Sequence, residues 1–262
     1  MLFNSLSYLI FFPTVFVAYW VAPPKLKRII LLIASYAFYA SWCPSYALLL
    51  LGLSAVNFGF GIALCRYQNI RKIVLGLGVT ANLACLCFFK YTTFLLTSFD
   101  RFLHAFVPQY KVAPVLLDAK IILPLGISFF AFEFIHYLTD IYRGSKPIKN
   151  PIEFGLFAAF FPSQIAGPIK RYQNFVQQLS EPKGFSDIRF NAGVSLLLQG
   201  LFKKIALSDN LAKLAAAGFD CHHSIGTVDA WIASIAFALQ IYFDFSGKSN
   251  PSSIAEPRPM SV

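Results

Sequence analysis

The chain has 262 residues, of which 57% are hydrophobic and 17% aromatic, whereas only 13% are charged. Its mean hydropathy is +0.61, and these values exclude an ordinary water-soluble domain and a disordered chain. The formal net charge of +10 does not indicate nucleic-acid binding, because the basic residues form short clusters between apolar runs rather than one continuous face. The composition therefore predicts an all-α, multi-pass membrane protein that is embedded in the lipid bilayer, and no nucleic-acid partner is expected.

Five apolar runs precede Asp140, and each is a candidate membrane-spanning helix. They cover residues 6–22, 29–42, 46–65, 73–97 and 121–139. No basic region stands ahead of the first run, so we interpret it as a retained helix and not a cleaved signal. The connectors 23–28, 66–72 and 140–149 contain three Lys or Arg residues each. This pattern predicts that these connectors lie in the cytoplasm and that the N-terminus lies outside.

The segment 152–172 interrupts the membrane pattern. Pro162 and Pro168 remove backbone donors, and the glycine between them loosens the chain, so a regular spanning helix is not expected here. The short stretches 152–166 and 169–189 predict a re-entrant hairpin or a broken helix. Irregular backbone at membrane depth is tolerated only where protein or a water-filled cavity covers it, so the segment predicts a site.

The last third of the chain begins with a short apolar run, 194–207, and regains spanning character at 231–245. From residue 248 the composition switches abruptly to Ser and Pro, which predicts neither a helix nor a strand. We therefore predict one membrane domain over residues 1–247, followed by a tail of different character over 248–262.

Glu133, His136 and Asp140 are the first candidate site residues. Spacings of three and four place them on one helical face, where two carboxylates and an imidazole would orient a substrate or relay protons. The alternative is structural, with Asp140 ending the helix at the interface and the other two residues bonded to neighbouring helices. Their spacing alone does not decide between the two.

Further polar residues lie in or beside the broken segment. Gln164 is costly in hydrocarbon unless its side chain is turned inward. Lys170 and Arg171 follow the Gly-Pro turn and would bind an acidic head group, a phosphate-bearing thioester donor or a polyanionic substrate. Alternatively they are a positive-inside anchor. Lys203 and Lys204 admit the same two interpretations.

Gln240 and Asp244 stand four residues apart in an aromatic setting, which predicts a polar pair on one helical face. The cluster Cys-His-His at 221–223 does not predict a metal site, because adjacent side chains diverge and no further ligand follows at a useful spacing. The five cysteines fall mostly in apolar segments without a CxxC pair, so neither zinc nor a disulfide framework is expected.

Five segments, taken together and in order, resemble the motifs of the membrane-bound O-acyltransferases. They read PLGISFF (124–130), YLTDIYRG (137–144), FFPSQIAGPIKRY (160–172), GLFKKIALSDNL (200–211) and QIYFDFSG (240–247). Within that superfamily the chain is most similar to the alginate O-acetyltransferase branch, and less so to the D-alanyl transfer protein of teichoic acid modification. The order of the motifs makes the resemblance specific at superfamily level.

The resemblance implies a ring of transmembrane helices around a central pore. There an acyl donor on the cytoplasmic side, an acetyl thioester or carrier, meets a hydroxyl acceptor on the outer side, and no bound cofactor is expected. The candidate pore-lining or substrate-path residues are Glu133, His136, Asp140, Gln164, Lys170, Arg171, Gln240 and Asp244.

The resemblance also implies a catalytic histidine, which in the family lies downstream of QIYFDFSG in a segment rich in Trp, Arg and His. Here that motif is followed by Lys248, Ser249 and Asn250, where the family usually has Tyr-Ser-Asp, and then by the Ser/Pro stretch. No residue of this chain therefore inherits the catalytic role. We expect a truncated and inactive form of the enzyme.

The leading hypothesis is O-acetylation of an exported polysaccharide such as alginate, in the bacterial cytoplasmic (inner) membrane and together with its export or acetylation machinery. The alternative is a small transporter or a non-catalytic membrane scaffold, in which Glu133, His136 and Asp140 line a pathway. Paired broken helices in inverted repeats would favour transport, and the sequence indicates one clearly broken segment.

Overall fold

The structure, a computed structural model, describes residues 6–106, 123–164, 170–180, 190–220 and 226–252. Every regular element in these ranges is a helix, which confirms the predicted all-α class. The α-helices are α1 Leu6–Val21, α2 Pro24–Ala40, α3 Pro44–Arg66, α4 Arg71–Phe106, α5 Ile127–Tyr142, α6 Pro151–Ala159, α7 Tyr172–Ser180, α8 Phe190–Phe202, α9 Asp209–Asp220 and α10 Thr227–Ser252.

Within the described ranges, three stretches are long and apolar enough to cross a membrane, judged by length and composition. They are Pro44–Arg66, Gln68–Phe102 and Thr227–Gly247. They coincide with three of the predicted spans, and the chain is a helical membrane protein. The other predicted spans fall on α1, α2 and α5, which have 16, 17 and 16 residues, fewer than the roughly 20 that a straight crossing needs.

Several helix boundaries differ from the predicted ones. Helix α4 continues to Phe106, nine residues beyond the predicted run 73–97, and α10 continues to Ser252, five residues into the segment predicted to be non-helical. Propagating an existing helix adds one hydrogen bond for each residue fixed, so a long helix runs past a change in composition. Helix α5 begins only at Ile127, because Gly126 adopts a left-handed conformation with φ of 75°.

The predicted break in 152–172 is present. Helix α6 ends at Ala159, and a 3-10 helix, Phe161–Ser163, follows it with Pro162 inside. Residues 165–169 lie outside the described ranges, so the predicted re-entrant geometry stays a prediction. Further on, the apolar run expected to be short belongs to a helical stretch that extends from α8 through a π-helix, Lys203–Ser208, into α9.

The chain forms two compact units, one of residues Cys43–Ala159 and one of Met1–Trp42 with Phe160–Val262. In the first, α3, α4, α5 and α6 pack together. The ring of the buried residue Phe154 lies 5.5 Å from that of Phe58 and 5.0 Å from that of Tyr137. Asn57 and Asn82 pair in the same unit, with their side-chain amides joined by hydrogen bonds of 3.1 and 2.7 Å between α3 and α4. Buried amides are stable between membrane helices when they satisfy each other in this way.

Two capping interactions stabilise the C-terminal end of α5. One guanidinium nitrogen of Arg71 donates to the carbonyls of Ile141 and Tyr142 at 3.0 and 2.9 Å, which satisfies oxygens that the helix itself leaves open. Gly144, with φ of 111°, ends the helix in the left-handed conformation, and the Ser145 N–H donates to the Asp140 carbonyl at 3.0 Å. This is the geometry of a Schellman cap.

In the second unit, the broken segment is anchored to α2. The N–H of Phe161 donates to Ser35 Oγ at 3.2 Å, and both residues are buried. The Phe161 ring packs with Tyr8 and Phe38 in one aromatic cluster. Gln164 lies three residues after this buried anchor.

Candidate functional site

Two consecutive lysines in the π-helix Lys203–Ser208 contact different partners. Its hydrogen bonds close over five residues instead of four, and such turns are frequent at functional sites. Lys204 Nζ lies 2.8 Å from Asp209 Oδ1 and 2.9 Å from Asp244 Oδ1. We name these three residues the lysine–aspartate cluster. Lys203 Nζ instead contacts the hydroxyl of Ser246, at 2.9 Å.

The lysine–aspartate cluster is partly buried, with 28%, 39% and 29% of the Lys204, Asp209 and Asp244 side chains exposed. Burial acts to lower the pKa of Lys204, but hydrogen bonds to the two carboxylates and their charges outweigh it, and the pKa is raised above its usual value. Lys204 is therefore charged throughout the neutral range. With two carboxylates and one ammonium group, the cluster carries a net charge of −1 and can accept hydrogen bonds from hydroxyl groups.

Close backbone packing brings α8 and the π-helix against α10. Ser208 Oγ donates to the carbonyl of Gln240 at 3.2 Å. At Gly247, a side-chain methyl group would lie 2.9 Å from the carbonyl oxygen of Gly200, so glycine is what permits the approach. The motifs at 200–211 and 240–247, separate in sequence, meet here.

The predicted pairing of Gln240 with Asp244 is realised only in part. Both lie on α10, but Asp244 binds Lys204 through its side chain, whereas Gln240 contributes its backbone carbonyl. Sequence reasoning missed Asp209, which stands five residues after Lys204. That spacing does not make neighbours on an α-helix, where residues three and four apart meet, but it spans one turn of a π-helix.

Gln164 follows the 3-10 helix and is the most unusual of the predicted site residues. Only 3% of its surface is exposed, and neither Nε2 nor Oε1 has a hydrogen-bond partner among the residues that the structure describes. A buried polar atom without a partner costs about 1–3 kcal/mol. The position therefore holds an amide that can both donate to and accept from an incoming polar group.

Lys170 and Arg171 have different surroundings. Lys170 Nζ lies over the rings of Phe160 and Phe175, 5.7 and 5.3 Å from their centroids, which is a cation–π arrangement. Arg171 is exposed. The structure thus gives Lys170 an aromatic setting close to the broken segment, and both of the functions considered for this pair stay predictions.

In the other unit, helix α5 carries Glu133, His136 and Asp140 as predicted from their spacing. Glu133 is buried, at 7% exposure. His136 Nδ1 lies 3.8 Å from Asp140 Oδ2, with 40% and 18% of the two side chains exposed. This distance permits an ion pair when the histidine is protonated, but it is too long for a direct hydrogen bond.

The Cys-His-His sequence at 221–223 lies outside the described residues. In the parts of the chain that the structure covers, no group of three His, Cys, Asp or Glu side chains is placed to hold a metal ion. The candidate residues are divided between the two compact units. The lysine–aspartate cluster, Gln164 and Lys170 belong to one unit, and Glu133, His136 and Asp140 belong to the other.

Comparison with known proteins finds several similar proteins. Over 95% of its length the chain is 37% identical to the "Probable alginate O-acetylase AlgI" of Pseudomonas aeruginosa, of which the alignment covers 48%. It is 32% identical to the peptidoglycan O-acetyltransferase of Helicobacter pylori, over 94% of this chain and 52% of that protein. A shorter match, 33% identical over 31% of this chain and 21% of the relative, is to the teichoic acid D-alanyltransferase of Lacticaseibacillus rhamnosus. No protein-family model matches the chain.

These similarities agree with an all-helical membrane protein whose polar residues gather at helix contacts. The resemblance found in the five motifs is confirmed, because over nearly its whole length the chain is similar to two proteins named as O-acetylating enzymes. It spans about half the length of the curated relatives it matches.

Proposed function

We propose that the protein containing this chain O-acetylates an exported polysaccharide, with alginate as the first candidate acceptor. The observation that supports this most is similarity along nearly the whole chain to proteins named for O-acetylation of two different polymers. The shared element of those names is transfer of acetyl to a polysaccharide hydroxyl. The acceptor polymer is the part that differs between them.

In this proposal a hydroxyl oxygen of the polymer attacks the carbonyl carbon of an acetyl thioester or another acetyl carrier. The new ester C–O bond forms, the bond between the acetyl group and the carrier breaks, and the released thiol or carrier group takes up the proton that the hydroxyl loses. Such a reaction needs a base for the hydroxyl proton and positioned donors for the developing oxyanion. We assign no described residue to the base. Glu133, His136, Asp140, Lys170 and Arg171 are proposed to line the substrate path, and so are Gln164, Gln240 and Asp244.

The lysine–aspartate cluster is proposed to act by position. Lys204 ties the π-helix to α9 through Asp209 and to α10 through Asp244, which holds two family motifs in register. Positioning of this kind affects rate strongly, because small displacements of reacting groups are costly to a pre-organised site. Loss of the cation would also leave two carboxylates facing each other.

We further propose that the protein resides in the bacterial cytoplasmic membrane, with its N-terminus outside, and works together with the export or acetylation machinery of the polymer. The basic connectors 23–28, 66–72 and 140–149 support this orientation. Reporter fusions within connector 66–72 test it. A reporter that is active only in the cytoplasm is expected to be active there, whereas activity of a second reporter that works only in the periplasm would contradict this topology.

The experiment for the proposed function replaces the natural full-length gene in its own host. Base-released acetate per sugar residue of the exported polysaccharide is measured for wild type, Lys204→Met and Lys204→Arg, with the membrane level of each protein determined by immunoblot. Lys204→Met is expected to lower acetylation at least about tenfold, a loss typical of a disturbed catalytic constellation. Lys204→Arg should retain a substantial part, because it keeps the charge.

Unchanged acetylation in Lys204→Met, at an unchanged protein level, would exclude a role of the lysine–aspartate cluster in the reaction. Equal acetate content in wild type and in a gene deletion would contradict the proposed function itself. A solute-uptake defect in the deletion, with normal acetylation, would instead favour the transporter.

A further inference from the structure

Two basic connectors meet at one end of the unit Cys43–Ala159. One guanidinium nitrogen of Arg71 donates to the carbonyls of Ile141 and Tyr142 at 3.0 and 2.9 Å, and the guanidinium carbon lies 5.3 Å from the centroid of the Tyr142 ring. These contacts join the start of α4 to the end of α5. The connectors 66–72 and 140–149, which are separate in sequence, are therefore neighbours in space.

The backbone of the second connector is held in place although it forms no helix between α5 and α6. The N–H of Ile148 donates to the hydroxyl of Tyr137 at 3.3 Å, and both residues are buried. This hydrogen bond acts together with the cap at Gly144. Arg143 and Lys149, on either side of these contacts, are exposed. Two cationic side chains are thus presented from a backbone whose course is fixed.

The positive charge of these connectors is not balanced within the part of the chain that the structure describes. Arg66, Lys72, Arg143 and Lys149 are exposed, and Arg71 is partly buried. Among the described residues, no carboxylate lies within ion-pair distance of any of these five side chains. We name the four exposed residues the basic connector surface. Cations gathered without counter-charges attract anions, so this surface is complementary to a negatively charged partner.

The depth of the basic connector surface in the membrane favours a lipid head group as that partner. Helix α3 ends at Arg66, and the next stretch that is long and apolar enough to cross the bilayer begins at Gln68. A turn this short keeps the connector at the membrane surface, where Lys and Arg side chains at helix ends reach the phosphate layer. Head-group phosphates are already present at this level, whereas a soluble anion would have to displace them.

We propose that the basic connector surface binds anionic phospholipids. Lys72 and Arg143 are its central pair, because each directly follows a residue of the contact between Arg71 and Tyr142. Clusters of Lys and Arg next to a spanning helix bind acidic head groups through this kind of charge complementarity. The lipid phosphates supply the negative charge that the described residues lack. This inference does not rest on the proposed acetyltransferase function, because it concerns charges at the membrane surface and no step of acetyl transfer.

The test uses the natural full-length gene product in phosphatidylcholine nanodiscs. These contain a small fraction of photoactivatable phosphatidylglycerol or, in a parallel sample, photoactivatable phosphatidylcholine with the same chains. After illumination, mass spectrometry measures the lipid attached to peptides that cover the connectors 66–72 and 140–149. Each cation near the membrane surface contributes about fivefold to the affinity for an acidic lipid, so phosphatidylglycerol should label these peptides at least about tenfold more than phosphatidylcholine.

Variants of the central pair test whether its charges cause the preference. Lys72→Gln combined with Arg143→Gln should lower labelling by phosphatidylglycerol at least about tenfold, whereas Lys72→Arg combined with Arg143→Lys should keep it. Arg71 is left unchanged, because it caps α5. The matched control is Arg101→Gln near the other end of α4, about 44 Å from Lys72 along the helix axis. Since this distance exceeds the Debye length of about 10 Å at 0.1 M salt, labelling of the connectors should stay within about twofold of wild type.

A measurement on the wild type covers the case in which the double variant does not fold. Its preference for phosphatidylglycerol should disappear at about 1 M salt, where the Debye length is about 3 Å. Equal labelling by the two lipids at low salt, or unchanged labelling in a folded Lys72→Gln, Arg143→Gln protein, would overturn the proposal. No label on either connector would also overturn it, because another part of the protein would then cover the surface. Loss of label on adding inorganic phosphate at constant ionic strength would overturn it in favour of a soluble anion.

Discussion

Replacing Gln164 with methionine separates a structural role of this residue from a ligand-binding one. Methionine has a similar length and no branching. Gln164→Met therefore removes two polar atoms that have no hydrogen-bond partner among the described residues, while the buried volume stays filled. Each such atom costs about 1–3 kcal/mol, so relief of both should stabilise the fold by about 2–6 kcal/mol. For a domain of about 250 residues, each kcal/mol corresponds to a rise of about 2–4 °C in Tm.

The assay is thermal unfolding of the purified natural protein, followed by fluorescence-detected size exclusion, together with acetate content of the polymer in cells. Gln164→Met is expected to melt higher yet to lower acetylation by about tenfold, since a neutral hydrogen bond to substrate is worth about that factor. A Tm that falls by several degrees would refute the reasoning, because the amide would then have a partner in the folded protein. A higher Tm with full acetylation would refute the ligand role alone.

Asn82→Leu serves as the matched control for a buried amide whose partners are present. It removes both hydrogen bonds to Asn57 and the 2.8 Å bond to the Gly78 carbonyl. Interhelical hydrogen bonds between membrane helices average about 0.6 kcal/mol and reach about 1.7 kcal/mol. The expected loss is therefore about 1–3 kcal/mol, opposite in sign to Gln164→Met. Equal shifts in the two variants would show that partner status does not govern their stability.

Three further predictions concern stability. Gly247→Ala should destabilise the folded protein by about 1–3 kcal/mol, because its methyl group meets a carbonyl of α8. Gly76→Ala, where a methyl group would have nothing within 4 Å, should be neutral or slightly stabilising. Equal Tm values for the two variants would contradict this. Arg71→Gln should lower the Tm by several degrees, because the last carbonyls of α5 lose a charged donor worth about 1.5–3 kcal/mol, and an unchanged Tm would exclude that capping role. The pKa of Lys204 is raised, so the stability that its ion pairs contribute is fully present below the ordinary lysine pKa of about 10.4. It is lost only as the pH rises through the higher pKa of the folded protein. The Tm difference between wild type and Lys204→Met should therefore stay constant from about pH 6 to 9, and a fall of that difference in this interval would contradict the assignment.

Hydropathy predicted the longest helices well, because a continuous apolar run is a direct signal for a spanning segment. The stretches in α3, α4 and α10 lie where the sequence placed them, and the break after α6 was signalled by Pro162. The spacing of Glu133, His136 and Asp140 also placed them correctly on one helix. These features depend on local sequence alone.

The features that escaped prediction depend on contacts between distant segments or on helix geometry. The π-helix changes the register after Lys203, so the ion pair between Lys204 and Asp209 has a spacing that an α-helical pattern does not reveal. Gly247 could be interpreted only once its contact with Gly200 was known. The lack of partners at Gln164 among the described residues likewise depends on the three-dimensional surroundings of one side chain, and composition does not report on them.

Acetyl ester content of the exported polysaccharide, in a strain that lacks the gene and in the same strain with the gene restored, tests the central claim most directly. Proton NMR of the purified polymer gives acetyl groups per sugar residue and is independent of the amount of polymer exported. The account predicts that acetyl esters are lost in the deletion strain and return on restoration. Acetyl esters at the wild-type level in the deletion strain would contradict it.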